Sequence, residues 1–215
     1  MARPPFDLSL YLVTDQQLCQ DLGVEETVRL SVASGVTMVQ LRDPHGQDRD
    51  MVDLGRALIK HTRAAGVPLI INDRVHLVDA IGAQGAHIGQ GDMSVAEARQ
   101  LLGPDALLWL SVQTREHVDA ARGLGLHTLD YLGVGPVWAQ TTKPDAAEPG
   151  GVERLGDIVR ESPWPCVAIG GIDLMRISEV RRAGAQGAAV VSAICGQPDI
   201  SQATAALASS WENSI

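Results

Sequence analysis

The chain has 215 residues, 45% of them hydrophobic and 20% charged, a globular composition long enough to bury its own core, which excludes disorder and peptide-scale folds. Lys and Arg number 17 against 26 Asp and Glu, a formal net charge of −9, so no basic face of the kind a nucleic-acid backbone demands is expected and nucleic acid is set aside as a partner. No apolar run reaches the roughly 18 residues of a membrane span, and the first six residues lack the apolar stretch of a secretory signal, so a cytoplasmic protein without membrane contact is expected.

Short apolar, often β-branched runs recur along the chain, at 8–14, 37–42, 68–72, 85–89, 107–112, 131–135, 165–171 and 188–193. They are apolar on both faces, as parallel strands covered by helices must be, whereas half-solvated antiparallel strands would alternate. Between them lie segments with helix punctuation. MVDLGRALIKHTRAAG ends at Gly66, and the helix after Asn72 is short. Ser94 followed by Glu97 is a capping-box pattern, and Gly103-Pro104 stops the helix that it opens. DLMRISEVRRAG predicts a helix from Asp173 to Gly184, and ISQATAALASSW a final one. Eight strand–helix units with no linker predict one α/β domain over 1–215, a (β/α)8 TIM barrel, with a doubly wound open sheet as the alternative. The longest irregular stretch, PVWAQTTKPDAAEPGG at 136–151, follows the sixth strand, and loops of this length usually carry function.

In such a barrel the chemistry gathers where the strands end. Those ends read Thr14-Asp15, Gln40-Leu41-Arg42, Asn72-Asp73, Gln90 to Asp92, Ser111, Gly135 with its long loop, Gly170-Gly171 and Val191-Ser192, nearly all polar or Gly. Asp73 and Asp92 close strands three and four, adjacent staves, so their carboxylates could share one hard cation such as Mg²⁺ with a substrate phosphate completing the shell. Either could equally cap a helix. Gly170-Gly171 and Val191-Ser192 fall where barrels hold a phosphate on backbone N–H groups. Thr141, Thr142 and Lys143 add two hydroxyls and one cation from the long loop, and Trp138 is the one tryptophan placed near a substrate. Cys19, Cys166 and Cys195 show neither disulfide nor zinc spacing and read as buried thiols, and the six histidines show no metal-binding pair. The acidic DPHGQDRD segment lacks the spacing of a calcium loop, and no dinucleotide or P-loop glycine fingerprint occurs.

Taken together, YLVTD at 11–15, VQLR at 39–42, INDRV at 71–75, HIGQGD at 87–92, GVGPVW at 133–138, TTKPD at 141–145, AIGGI at 168–172 and VVSAI at 190–194 resemble the thiamine phosphate synthase family over nearly the whole chain. The resemblance implies a Mg²⁺-dependent TIM-barrel transferase. It would join 4-amino-2-methyl-5-hydroxymethylpyrimidine diphosphate to a carboxythiazole phosphate, releasing diphosphate and CO₂. By the same resemblance Gln40 and Arg42 bind the diphosphate, Asn72 and Ser111 touch the pyrimidine substrate, and Asp73 and Asp92 are the Mg²⁺ ligands. Lys143 lies on the diphosphate side, while Thr142, Gly171, Val191 and Ser192 hold the thiazole phosphate. Arg42, Ser111 and Lys143 are the implied catalytic side chains, and Leu41, Asp43, Pro44, Gln140 and Thr141 complete the substrate-binding set. The chain departs from the family pattern at Asp43-Pro44, where Glu-Lys is common, at Gln140, where the first loop Thr is common, and at Gly91, where Glu is frequent. Partners are expected to be small phosphorylated molecules, with a homo-oligomer left open. The alternatives are a thiazole tautomerase on the same barrel and a non-catalytic thiamine-phosphate-binding barrel.

Overall fold

The computed structural model describes residues 3, 5–142 and 147–214. Its strands are β1 (Leu10–Val13), β2 (Met38–Leu41), β3 (Leu69–Asn72), β4 (Gly85–Ile88), β5 (Leu107–Val112), β6 (Tyr131–Val134), β7 (Cys166–Ile169) and β8 (Gly187–Val190). Between and after them run α1 (Val24–Ala33), α2 (Asp48–Ala64), α3 (Val78–Ile81), α4 (Val95–Leu102), α5 (Arg115–Gly123), α6 (Gly151–Glu161), α7 (Ile177–Arg182) and α8 (Ile200–Glu212). All strands are parallel and close a barrel in chain order, β8 pairing with β1 through Leu10 opposite Ala188. This is the (β/α)8 barrel that the recurring apolar runs predict, and the open sheet is excluded. No helix among the described residues is long and apolar enough to cross a membrane.

The two-residue period of a strand sorts the core into two layers. Leu10, Leu12, Val39, Leu41, Leu69, Ile71, Ala86, Ile88, Leu108 and Leu110 pack outward with the helices. Tyr11, Val13, Met38, Ile70, Leu107, Trp109, Tyr131, Val167 and Ala189 fill the barrel interior. The chain has only four Trp, two Tyr and one Phe, yet Tyr11, Trp109 and Tyr131 stand here together, with ring centroids 4.7 Å apart for Tyr11–Trp109 and 5.0 Å for Trp109–Tyr131. Gly133 makes the room, since a Cβ there would lie 2.2 Å from the Trp109 indole nitrogen. A rigid aromatic floor thus lies under the mouth of the barrel.

Helix ends follow their local chemistry. The capping box is present in full: Ser94 Oγ accepts from the Glu97 N–H, and the Glu97 carboxylate accepts from the Ser94 N–H. Helix α2 begins three residues before the expected Met51, because Asp48 and Asp50 give its first turn the negative charge that the helix dipole favours. The helix expected from Asp173 is shorter, confined to Ile177–Arg182. The Asp173 carboxylate accepts from the N–H groups of Met175 and Arg176, both at 3.0 Å, and this side-chain turn occupies the segment before the helix starts.

Candidate active site

The ends of β1 and β2 are tied together by Thr14. Its N–H donates to the Gln40 carbonyl at 2.9 Å, and its hydroxyl accepts from the Arg42 N–H at 3.0 Å. Gln40 faces the interior, 2% exposed, with its Nε2 donating to Tyr11 Oη at 3.3 Å. Arg42 follows at the rim, half-buried. The Leu41 side chain is fully buried in the outer layer against the helices, so its backbone is the part left to face a ligand. Beyond the rim Asp43 shapes the loop, accepting from the N–H groups of His45 and Gly46 at 3.2 and 2.8 Å, and Pro44 is exposed. Arg74 braces that loop by donating to the Gly46 carbonyl at 2.6 Å and to Asp48 at 3.0 Å. Its charge is therefore already engaged in bracing this loop. Hydrogen bonding to His76, at 2.8 Å, holds the Asp48 carboxyl below its usual range.

On the neighbouring staves β3 and β4, Asn72 stands in register with His87. Asp73 follows in the left-handed region at φ 58, uncommon outside Gly and tolerated by Asp, with its N–H donated to the His87 carbonyl at 2.8 Å. Its carboxylate accepts from Asn72 Nδ2 at 2.6 Å. Asp92 closes the turn after β4 by accepting the Gly89 N–H at 2.7 Å. Both carboxylates are exposed at the rim. Among the described residues no three metal-binding side chains cluster, so a cation here would rest on two carboxylate residues with substrate and water oxygens. A hard oxygen set with few protein ligands fits Mg²⁺, which keeps much of its shell for phosphate and water. On β5, Ser111 Oγ lies 3.1 Å from His87 Nε2.

The long loop after β6 is zipped at its base. Val137 and Trp138 donate to the carbonyls of Ile169 and Gly170 at 2.9 and 3.0 Å, while Gly150 and Gly151 donate back to Pro136 and Val137 at 2.8 and 2.9 Å. Within it Thr142 Oγ1 donates to Gln140 Oε1 at 2.9 Å, and Thr141 is exposed. Lys143 lies outside the described residues. Gly170 and Gly171, both at positive φ, follow β7, and a Cβ on Gly171 would lie 2.7 Å from the Ala139 carbonyl oxygen. Arg176 donates to the Gly171 carbonyl at 2.8 Å and lies 5.3 Å over the Trp138 ring, so Trp138 supports the loop from below. After β8, half-buried Val191 turns the chain by accepting from Ile194 and Cys195, and Ser192 is exposed. Among the described residues the N–H groups of Gly171, Ser192 and Ala193 donate to no partner, the state of a backbone nest prepared for an anion.

The barrel mouth thus gathers Gln40, Arg42, Asn72, Asp73, Asp92 and Ser111 on one side and Gly171, Val191 and Ser192 on the other. Reasoning from strand ends names Thr14 and passes over His87 and Arg176. His87 was within reach of strand parity, because inward Asn72 and Ser111 flank it in neighbouring strands. Arg74 and Arg176 act across loops, where no periodicity points to a partner.

Comparison with known proteins adds an independent line. The family model described as thiamine monophosphate synthase matches residues 10–194. The chain is 47% identical over 210 residues to the thiamine-phosphate synthase of Azorhizobium caulinodans, covering 98% of each, and 48% identical over 196 residues to that of a Psychrobacter species, covering 91% of this chain and 92% of the other. Among solved structures it superposes on a thiamine phosphate pyrophosphorylase from Pyrococcus furiosus with a TM-score of 0.87 and 32% identity, covering 97% of both chains.

Proposed function

Because the chain belongs to the thiamine monophosphate synthase family, we propose that it is a thiamine phosphate synthase, a transferase that couples the aminopyrimidine diphosphate to the (carboxy)thiazole phosphate. The observation that carries this reading is the placement of two groups suited to phosphates, a carboxylate pair that a bridging cation would link to one and a backbone nest for the other. In a closed eight-stranded barrel β3 and β4 lie diametrically across from β7 and β8, so Asp73 and Asp92, which follow β3 and β4, lie across the mouth from Gly171 and Ser192. Joining two phosphorylated molecules requires two such sites, and an isomerase of one phosphate requires one.

On this reading the backbone N–H groups of Gly171 and Ser192, with Thr142, hold the thiazole phosphate. Arg42 at the rim of β2 meets the leaving diphosphate, with Lys143 from the loop as its second cation. Mg²⁺ bound by Asp73 and Asp92 would supply Lewis-acid neutralisation of the diphosphate oxygens. Departure of diphosphate leaves a pyrimidinylmethyl cation stabilised by the ring amino group, so donors aimed at the departing oxygens act where charge grows. Asn72 and Ser111 orient the ring, the aromatic floor closes the barrel beneath it, and the long loop excludes water until the thiazole nitrogen attacks. The small phosphorylated substrates are its partners, and we place the enzyme in the cytoplasm.

The test is a coupling assay on the purified chain. Diphosphate release from the pyrimidine substrate is expected only when the thiazole phosphate and Mg²⁺ are both present, and EDTA is expected to stop it. Isomerisation of the thiazole phosphate without coupling, or binding without turnover, would overturn the proposal.

A further inference from the structure

Where β1 and β2 part at the mouth, a side chain takes over from the backbone ladder. Val13 stands opposite Gln40, and one residue on the Thr14 N–H donates to the Gln40 carbonyl at 2.9 Å. The evenly spaced bonds of a parallel pair would send the next donor, the Arg42 N–H, to the Thr14 carbonyl. It goes instead to the Thr14 hydroxyl at 3.0 Å, and the same hydroxyl donates back to the Arg42 carbonyl at 3.4 Å. A hydroxyl has one proton and two lone pairs, so a single oxygen can serve both backbone groups of one residue. Thr14 is fully buried, and its branched Cβ restricts χ1, which makes the clamp stiff.

The consequence falls on Arg42. Among the described residues its backbone makes no other hydrogen bond, and its guanidinium has neither a hydrogen bond nor an ion pair. Thr14 is therefore the hydrogen-bonded anchor from which a long, flexible side chain extends. By strand parity Arg42 lies on the same face as inward Gln40, two residues back, so that side chain starts toward the mouth. We propose that Thr14 is a positioning residue for the diphosphate: by clamping the Arg42 backbone it sets where the guanidinium meets the leaving group. Thr14 has no exposed surface of its own to offer a substrate, so it acts through Arg42. This inference rests on the synthase reading above, which gives Arg42 to the diphosphate, and adds to it the residue that holds Arg42 in place.

Thr14→Val keeps the branched shape and removes the hydroxyl, whereas Thr14→Ser keeps the hydroxyl and loosens its rotamer. Thr14→Ala, which also lacks the hydroxyl, takes the place of the valine variant if melting temperatures show that one unfolded. The experiment measures the affinity for inorganic diphosphate with Mg²⁺ present, and kcat/KM for the pyrimidine substrate, in the wild type, these variants, Arg42→Ala and the Thr14→Val, Arg42→Ala double variant. Thr14→Val is expected to lower both quantities about tenfold, within the roughly 10²-fold that a misplacement of about 1 Å can cost, and Thr14→Ser to recover most of each. In the Arg42→Ala background Thr14→Val is expected to add less than about twofold, since residues that act through one contact are not additive. Affinity for the thiazole phosphate should stay at its wild-type value in Thr14→Val. Unchanged diphosphate affinity in a folded variant without the hydroxyl, or a loss of the same size with and without Arg42, would overturn the inference and leave the synthase reading standing. A wild type that releases no diphosphate from the pyrimidine substrate with thiazole phosphate and Mg²⁺ present would overturn both.

Discussion

Ser111 Oγ on β5 and His87 Nε2 on β4 stand 3.1 Å apart, and the imidazole ring lies 4.3 Å from the Trp109 ring on the same floor. The indole and the serine hold the imidazole from two sides, so this hydrogen bond keeps Ser111 aimed into the mouth. Ser111→Ala deletes one partner of a nearly buried His87 while disturbing little volume. We expect kcat/KM to fall at least tenfold, or about 1.4 kcal/mol of transition-state stabilisation, with the melting temperature nearly unchanged. Steady-state kinetics beside a thermal melt checks this, and a variant that melts early but keeps its activity would place Ser111 in the scaffold.

Asp92 serves two purposes that substitutions can separate. One carboxylate oxygen closes the turn by accepting the Gly89 N–H at 2.7 Å, and the charge is what a Mg²⁺ ion would need. Asp92→Asn keeps an oxygen for the turn and removes the charge, so it is expected to fold as the wild type and to lose Mg²⁺-dependent turnover by about 10²-fold or more, comparable to removal of a main electrostatic contact. Asp92→Ala loses the turn closure as well. Titration of activity against Mg²⁺ should show the Asn variant needing far more metal, and an unchanged titration would assign the carboxylate to the turn alone.

The barrel itself was legible because its signal is carried by repetition. Eight apolar runs at recurring intervals are long-range evidence that no single run supplies, and strand bounds then shift by three residues at most. Position along a strand places Asn72, Ser111 and the two aspartates at the ends of β3, β4 and β5, where the sequence reading puts them. At Leu41 the side chain points away from the mouth because neighbours in a strand point to opposite faces, a parity that a motif read as a continuous string does not show. Asp173 misled for a related reason: a residue that caps a helix can equally close a turn before it, and only the backbone decides. The partners of Arg74 and Arg176 stayed hidden because they lie across loops, at distances in sequence that no local pattern encodes.

Gly171 is expected to tolerate no side chain. Its φ is 67, and a Cβ would meet the Ala139 carbonyl oxygen at 2.7 Å and Trp138 Cβ at 2.8 Å, so the loop after β6 would have to leave its seat on β7. Gly171→Ala should cost roughly 1–3 kcal/mol of stability, the usual range for a strained backbone position, and raise the KM for the thiazole phosphate. Arg176→Ala removes the guanidinium that spans the Gly171 carbonyl and the Trp138 ring and should raise the same KM with a smaller effect on stability. Arg176→Lys keeps the charge without the planar fork and should rescue only in part. A KM unchanged in both the Gly171 and the Arg176 variants would remove this corner from the phosphate site.

Cys19 and Cys195 give the fold a pH dependence whose sign can be worked out. The neighbouring Cys195 thiol draws the Cys19 thiol down to about 7, and the same proximity, with burial, pushes Cys195 far up. A free thiol titrates near 8.5. Between pH 7 and that value the unfolded chain therefore binds the proton that folded Cys19 has released, and unfolding free energy rises with pH. The contribution is complete above the unfolded value and lost as pH falls through 7. Cys195 works in the opposite sense at higher pH: its folded form keeps the proton after the unfolded form has lost it, so stability declines as pH climbs past 8.5. Urea unfolding at stepped pH should show a wild-type advantage over Cys19→Ala that grows from pH 7 to 8.5. The same comparison made in a Cys195→Ala background should show that growth abolished, because the neighbouring thiol that lowers Cys19 is gone.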